Sequence, residues 1–292
     1  MCVLERVHAK IKNMTKNIRL LYITKDPTVG QLAERAGVDW IFVDMEYRGK
    51  SERQANRDTV ISAHTLEDVQ AMRQAITVSQ LVVRINPWGQ WSPAEIEGVV
   101  QCGADIIMLP FFKTGLEVEA FIGQVGGRAK TCLLLETMAG IGALGDILAL
   151  PGIDFFHLGL NDLHIERGTT FMFELLADGS VDEVAAKLRA AGITFGFGGI
   201  ARIGGLIPPA ERILAEHFRL GSTGVILSRS FCQITEATNA DAFEEVFKAE
   251  VAKVRAEEVR LTMANDSFFE HNRLQVINDV AQVVNRMKAR LG

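Results

Sequence analysis

Short apolar runs recur along the chain, each followed by a polar turn and then by a stretch whose apolar residues return every third or fourth position. The runs predict strands and the stretches amphipathic helices. Eight strands are expected, at 18–24, 40–46, 80–86, 105–111, 130–136, 154–160, 194–200 and 224–230. Two of them, DIIMLPF and KTCLLLE, are apolar almost without alternation. Strands buried on both faces of a parallel sheet read this way.

Helix signals fall in the gaps. Thr65 with Asp68, and Ser92 with Glu95, each match a capping box, and Pro93 stands at the first helical position of the second. Gly37, Gly103, Gly192 and Gly221 stand just before the next strand, where a helix C-cap is expected. Eight strand–helix units predict a single-domain α/β protein over 1–292, a (β/α)8 TIM barrel at about 18–260; a doubly wound sheet is the alternative. Beyond the eighth strand a charged helix is expected at about 240–260 and an extra C-terminal helix at about 269–290. The last carries Leu274, Ile277, Val280, Val284 and Met287 at helical spacing, an apolar stripe to be covered by a neighbouring subunit or by the chain's own barrel.

Composition narrows the partners. A net charge of −5 offers no general attraction for nucleic acid, and no run reaches the length of a membrane span. Cys2, Cys102, Cys132 and Cys232 form no CxxC pair, which fits a reducing cytoplasm better than a disulfide or thiolate-metal framework. The opening residues break every apolar run with a charge, so no secretory leader is expected there.

The candidate chemistry gathers at the C-terminal ends of strands, where barrel enzymes build their sites. Glu136 ends the fifth strand, and Asp162 follows the sixth, 26 residues later. Two such acids suit a hard divalent ion with open positions, or each caps the helix after it. Arg84, at the end of the third strand, either meets a carboxylate or enolate oxygen of a substrate or pairs with a barrel acid. Asp44 and Glu46 share one face of the second strand and either orient Arg84, hold a metal-bound water, or form internal salt bridges. His157 and His164 flank the end of the sixth strand; His164 is a candidate proton carrier, and a structural role is the plainer reading of both. GFGGIA at 196–201 fits a dinucleotide fingerprint formally, but its place at the seventh strand favours a tight turn. Two connections at strand C-termini are long, 47–64 and 161–179. The first holds Arg48, Lys50, Arg53 and Arg57, cations for an anionic substrate arm or a solvated surface.

Five stretches, VDMEY (43–47), VVRIN (82–86), GADIIMLP (103–110), LLLET (133–137) and PGIDFFHLGLNDL (151–163), together resemble the HpcH/HpaI aldolase and citrate lyase β-subunit family. That family is a branch of the phosphoenolpyruvate/pyruvate-binding barrels, and the likeness runs through roughly residues 20–235. The resemblance implies a metal-dependent lyase or aldolase joining or cleaving a 2-oxo acid and an aldehyde. It implies Glu136 and Asp162 as ligands of a divalent ion, Mg²⁺ first and Mn²⁺ or Co²⁺ next. It further implies Arg84 on the oxygen of the 2-oxo acid, and Gly159, Leu160 and Asn161 beside the substrate carboxylate, with Arg48 and Lys50 toward the rest of the substrate. One position departs: where family aldolases carry His after Asp-x-Glu, this chain has Tyr47. Tyr47, His164 or a metal-bound water then takes over proton transfer. Otherwise the chemistry is a phosphoenolpyruvate-linked, decarboxylating or acyl-CoA reaction, or the barrel only binds a metabolite.

Overall fold

The computed structural model describes residues 17–49, 64–228, 231 and 240–291. Its strands are β1 (Arg19–Ile23), β2 (Trp40–Asp44), β3 (Gln80–Arg84), β4 (Ile106–Leu109), β5 (Lys130–Leu135), β6 (Phe155–Leu158), β7 (Thr194–Phe197), β8 (Gly199–Ile200) and β9 (Gly224–Leu227). They run in the order β7-β6-β5-β4-β3-β2-β1-β9-β8, every pair parallel. The expected seventh strand is thus two pieces, broken at Gly198, whose φ of +50° a side chain would strain. The two ends of the sheet order are halves of one segment, so the sheet curls into a nearly closed barrel. The GFGGIA run is neither a dinucleotide loop nor a simple turn: Gly196 lies within a strand, where a Cβ would come 2.4 Å from the Gly224 carbonyl oxygen.

Helices follow the strands: α1 (Pro27–Arg35), α2 (Leu66–Ala75), α3 (Ser92–Gln101), α4 (Gly115–Val125), α5 (Met138–Gly142), α6 (Leu144–Leu148), α7 (Leu160–Arg167), α8 (Glu174–Ala177), α9 (Ser180–Ala190) and α10 (Ala210–Leu220). Two long helices, α11 (Ala240–Thr262) and α12 (Asp266–Leu291), complete the described chain. The Thr65–Asp68 capping box forms, and Gly37, Gly103, Gly192 and Gly221 all take positive φ. The Ser92–Glu95 box does not. Ser92 is already helical, its Oγ accepts from Gly89 N–H at 2.9 Å, and Glu95 reaches back to Asn86 instead.

Strand residues alternate between two apolar clusters. Leu21, Trp40, Phe42, Val82, Met108, Cys132, Leu134 and Phe155 fill the barrel, with Trp40 and Phe155 packed edge to face at 5.0 Å. Their neighbours Leu20, Ile41, Val43, Leu81, Val83, Leu133 and Phe156 pack outward against the helices. The same alternation carries Asp44, Arg84 and Glu136 inward at the C-terminal rim. Cys102 and Cys132 are free thiols, and no helix among the described residues is long and apolar enough to cross a membrane.

The buried face of α12 is Asn272, Val276, Val280 and Val284, and it packs on α10 and α8 of the same chain. Arg212 pairs with Asp279, and Asn272 Nδ2 donates to Glu216 Oε1 at 2.9 Å. Leu274 and Met287, expected on the buried stripe, are exposed. The helix is therefore part of this chain's own fold. Val280→Asp should lower the free energy of unfolding by about 3–5 kcal/mol, the cost of a buried charge without a partner. Urea denaturation of the full chain measures this, and an unchanged midpoint would disprove the packing argument.

Candidate active site at the barrel rim

Asp44 and Arg84 are direct partners in the β2–β3 register. Arg84 Nε donates to Asp44 Oδ1 at 2.8 Å and Nη2 to Oδ2 at 2.7 Å, a bidentate fork; Nη1 lies 3.4 Å from Glu46 Oε2. Burial by itself would lower the Arg84 pKa, but Asp44, Glu46 and the further charge of Glu136 outweigh it and hold the guanidinium above its ordinary value. Asp44 and Glu46 are therefore internal partners that orient Arg84. A guanidinium has five N–H donors. Among the described residues these contacts use three of its nitrogens once each, leaving two N–H bonds for a ligand oxygen.

Glu136, 3% exposed, follows β5, and its Oε1 accepts from Phe111 N–H at 3.2 Å. Phe111 holds φ +53°, an uncommon conformation for a non-glycine residue, at the end of the β4 segment. Across the rim lies Gly159. A Cβ there would stand 2.7 Å from Glu136 Cβ and 2.8 Å from Oε2, so glycine keeps this carboxylate face open. Gly159 is the N-cap of α7 and provides no side-chain cap. The leading N–H groups of that helix, at Leu160, Asn161 and Asp162, meet the site as an anion-favouring terminus. Asp162 lies half-buried in the same first turn. Glu166 Oε2, accepting from Met138 N–H at 2.9 Å, ties α7 to the segment after β5.

Two oxygen ligands beside a side-chain-free backbone fit a hard divalent ion whose remaining positions go to water or substrate. Among the described residues no group of three or more His, Cys, Asp or Glu gathers into a closed cage. Gly159→Ala should push Glu136 aside and weaken Mg²⁺ binding while leaving the barrel folded. Titration calorimetry with unchanged affinity would show that the close approach carries no function.

The other expected residues are spread more widely. Tyr47 is 51% exposed, with Arg48 stacked 5.1 Å over its ring and 4.3 Å over that of Trp91. The N–H groups of Tyr47 and Arg48 both donate to Asn86 Oδ1, at 3.1 and 3.0 Å, and Asn86 Nδ2 donates to Glu95 at 2.6 Å. Burial raises the Glu95 pKa against the pull of Asn86 and Arg48. His164 is buried with Nδ1 3.2 Å from the Thr169 carbonyl, which commits the ring to the end of its own helix. His157 lies inside the barrel with Nε2 3.1 Å from the Gly198 carbonyl; burial, with a smaller push from Arg84, lowers its pKa to about 4. Lys50, Arg53 and Arg57 lie outside the described residues.

Two contributors escaped the sequence reading. Glu95 passed as a helix cap. His64 lay at the end of a long loop, marked only by the capping box that follows it; its Nδ1 accepts from Asp44 N–H at 2.9 Å.

Comparison with known proteins places this rim in context. The family described as HpcH/HpaI aldolase/citrate lyase matches residues 20–198. A hydroxypyruvate/pyruvate aldolase of Roseovarius nubinhibens is 26% identical over 209 residues, 57% of this chain and 71% of that protein. An HpcH/HpaI aldolase/citrate lyase family protein from Burkholderia cenocepacia J2315 shares the fold with a TM-score of 0.60 at 15% identity, covering 87% of this chain and 99% of the other. The citrate synthase SbnG superposes with a TM-score of 0.57 at 15% identity, over 87% and 97% of the two chains.

Proposed function

The chain belongs to the HpcH/HpaI aldolase/citrate lyase family, and from that premise we propose that it is a divalent-metal-dependent aldolase joining or cleaving a 2-oxo acid of the pyruvate type and an aldehyde. The observation that carries the reading is the meeting of an inward Arg84, locked by Asp44 and Glu46, with Glu136 open toward Gly159 on the same rim. Glu136 and Asp162 would hold the ion, Mg²⁺ in the first instance, with Mn²⁺ or Co²⁺ able to replace it. Bound there, it would supply Lewis acidity toward a ketone oxygen. Arg84 then offers its remaining N–H bonds to the oxygen that gains charge as the methyl proton leaves. The α7 terminus at Gly159, Leu160 and Asn161 takes the carboxylate. Arg48, flattened on Trp91, faces an anionic arm of the aldehyde, with Lys50 as a second cation.

A homo-oligomer fits the exposed Leu274 and Met287 of α12, and light scattering at micromolar concentration decides it. The function itself is tested with pyruvate in D₂O. The methyl resonance should exchange in the presence of Mg²⁺ and stop when the ion is chelated. No metal-dependent exchange with pyruvate would refute the aldolase reading. The exposed Tyr47 favours one second reading, a barrel that binds a metabolite without turnover. A rise in melting temperature with pyruvate and Mg²⁺, unaccompanied by exchange, would support it.

A further inference from the structure

We propose that His64 donates a hydrogen bond, through Nε2–H, to the carbonyl oxygen of the aldehyde that condenses with the 2-oxo acid, an assignment that rests on the aldolase reading above. The last backbone bond from β1 to β2 is Thr24 N–H to Phe42 O, at 3.1 Å. In a parallel ladder the next donor on β2, Asp44 N–H, should find a β1 carbonyl. By then the chain has turned away into the α1 N-cap at Asp26. His64 Nδ1 takes that carbonyl's place in the ladder at 2.9 Å. The imidazole therefore lies in the wall of the barrel, on the rim above the end of β1. Asp44 binds His64 with its main chain and Arg84 with its side chain, so the imidazole and the guanidinium flank one residue. The Thr65–Asp68 capping box fixes the backbone that delivers His64.

The contact also selects the tautomer. A main-chain N–H cannot reverse its polarity, so Nδ1 must be the acceptor and the ring proton must sit on Nε2. His64 is thereby a donor and not a base. When the carbon–carbon bond forms, the enolate electron pair moves to the aldehyde carbon and the carbonyl π pair moves onto oxygen. Solvent water supplies the proton that completes the hydroxyl. A donor placed beyond Arg84, on the rim, meets the charge that develops on the second substrate; Arg84 and the two carboxylates attend the first.

Two measurements on the full-length protein with Mg²⁺ test this. Nitrogen-15 spectra of labelled histidine, with His64 assigned by its loss in His64→Gln, should show an acceptor-type Nδ1 and a protonated Nε2. The opposite tautomer overturns the proposal. Kinetics then separate the substrates. In His64→Ala, condensation of pyruvate with glycolaldehyde should fall about 10²-fold, as for other lost oxyanion donors, and at least tenfold more than pyruvate exchange into D₂O. His64→Gln, which keeps an N–H donor, should recover part of the loss. Parallel losses in condensation and exchange, or no loss in condensation, overturn the proposal alone. A wild-type protein inert in both assays overturns the aldolase reading and the proposal with it.

Discussion

Glu136→Gln and Asp162→Asn will each cut the affinity for Mg²⁺ and Mn²⁺ by at least about 100-fold, because residues that merely support a metal's ligands already cost about 10–100-fold when removed and these are direct anionic ligands. Both substitutions preserve shape. In Glu136→Gln the new amide would still present an oxygen to the Phe111 N–H, which in the wild type donates to Oε1 at 3.2 Å. Loss of the charge at Asp162 removes one favourable interaction with the α7 terminus, about 0.3–1 kcal/mol, too little to unfold the barrel. Titration calorimetry beside thermal melts separates ligation from folding. Unchanged affinity in both variants, with intact melts, would remove the ion from this position.

Arg84→Ala will lower metal-dependent pyruvate exchange about 10²–10³-fold, equivalent to about 2.7–4 kcal/mol of lost oxyanion stabilisation. It will also destabilise the fold, because Asp44 and Glu46, each 2% exposed, would share the rim without their cation. Arg84→Lys separates the two effects. Lysine keeps the charge near both acids but cannot reproduce the fork on Asp44. Stability should return largely to that of the wild type, while exchange stays well below it. A lysine variant that exchanges like the wild type would mean that Arg84 supplies charge alone and that its alignment by Asp44 is without consequence.

All eight expected strands exist, each shorter at its ends than the apolar run that announced it. The runs report burial, and burial continues past the last ladder bond, as Glu136 and Glu46 illustrate. The break at Gly198 was hidden because a glycine-rich run has too few side chains to reveal which way it turns. Arg84 was visible as a residue needing a partner, but choosing Asp44 required the β2–β3 register, a tertiary fact. Ser92 and Glu95 had the spacing of a cap; Glu95 is drawn off by Asn86, which lies nine residues away at the head of the preceding strand. In α12 the residues at 276, 280 and 284 face inward, while Leu274 and Met287 fall on the other side of the same periodic stripe. His64 was the least legible, since nothing in a loop's sequence tells where its side chain will complete another strand's ladder.

The turn after β2 is held from outside itself: Asn86 clasps the N–H groups of Tyr47 and Arg48, Glu95 holds Asn86, and Trp91 supports Arg48. Anyone grafting this loop onto a related barrel to transfer substrate preference would therefore be moving only half of a module. The transplant should carry the end of β3 and the first turn of α3 with it, and a directed-evolution library confined to the loop would search around an anchor it cannot see.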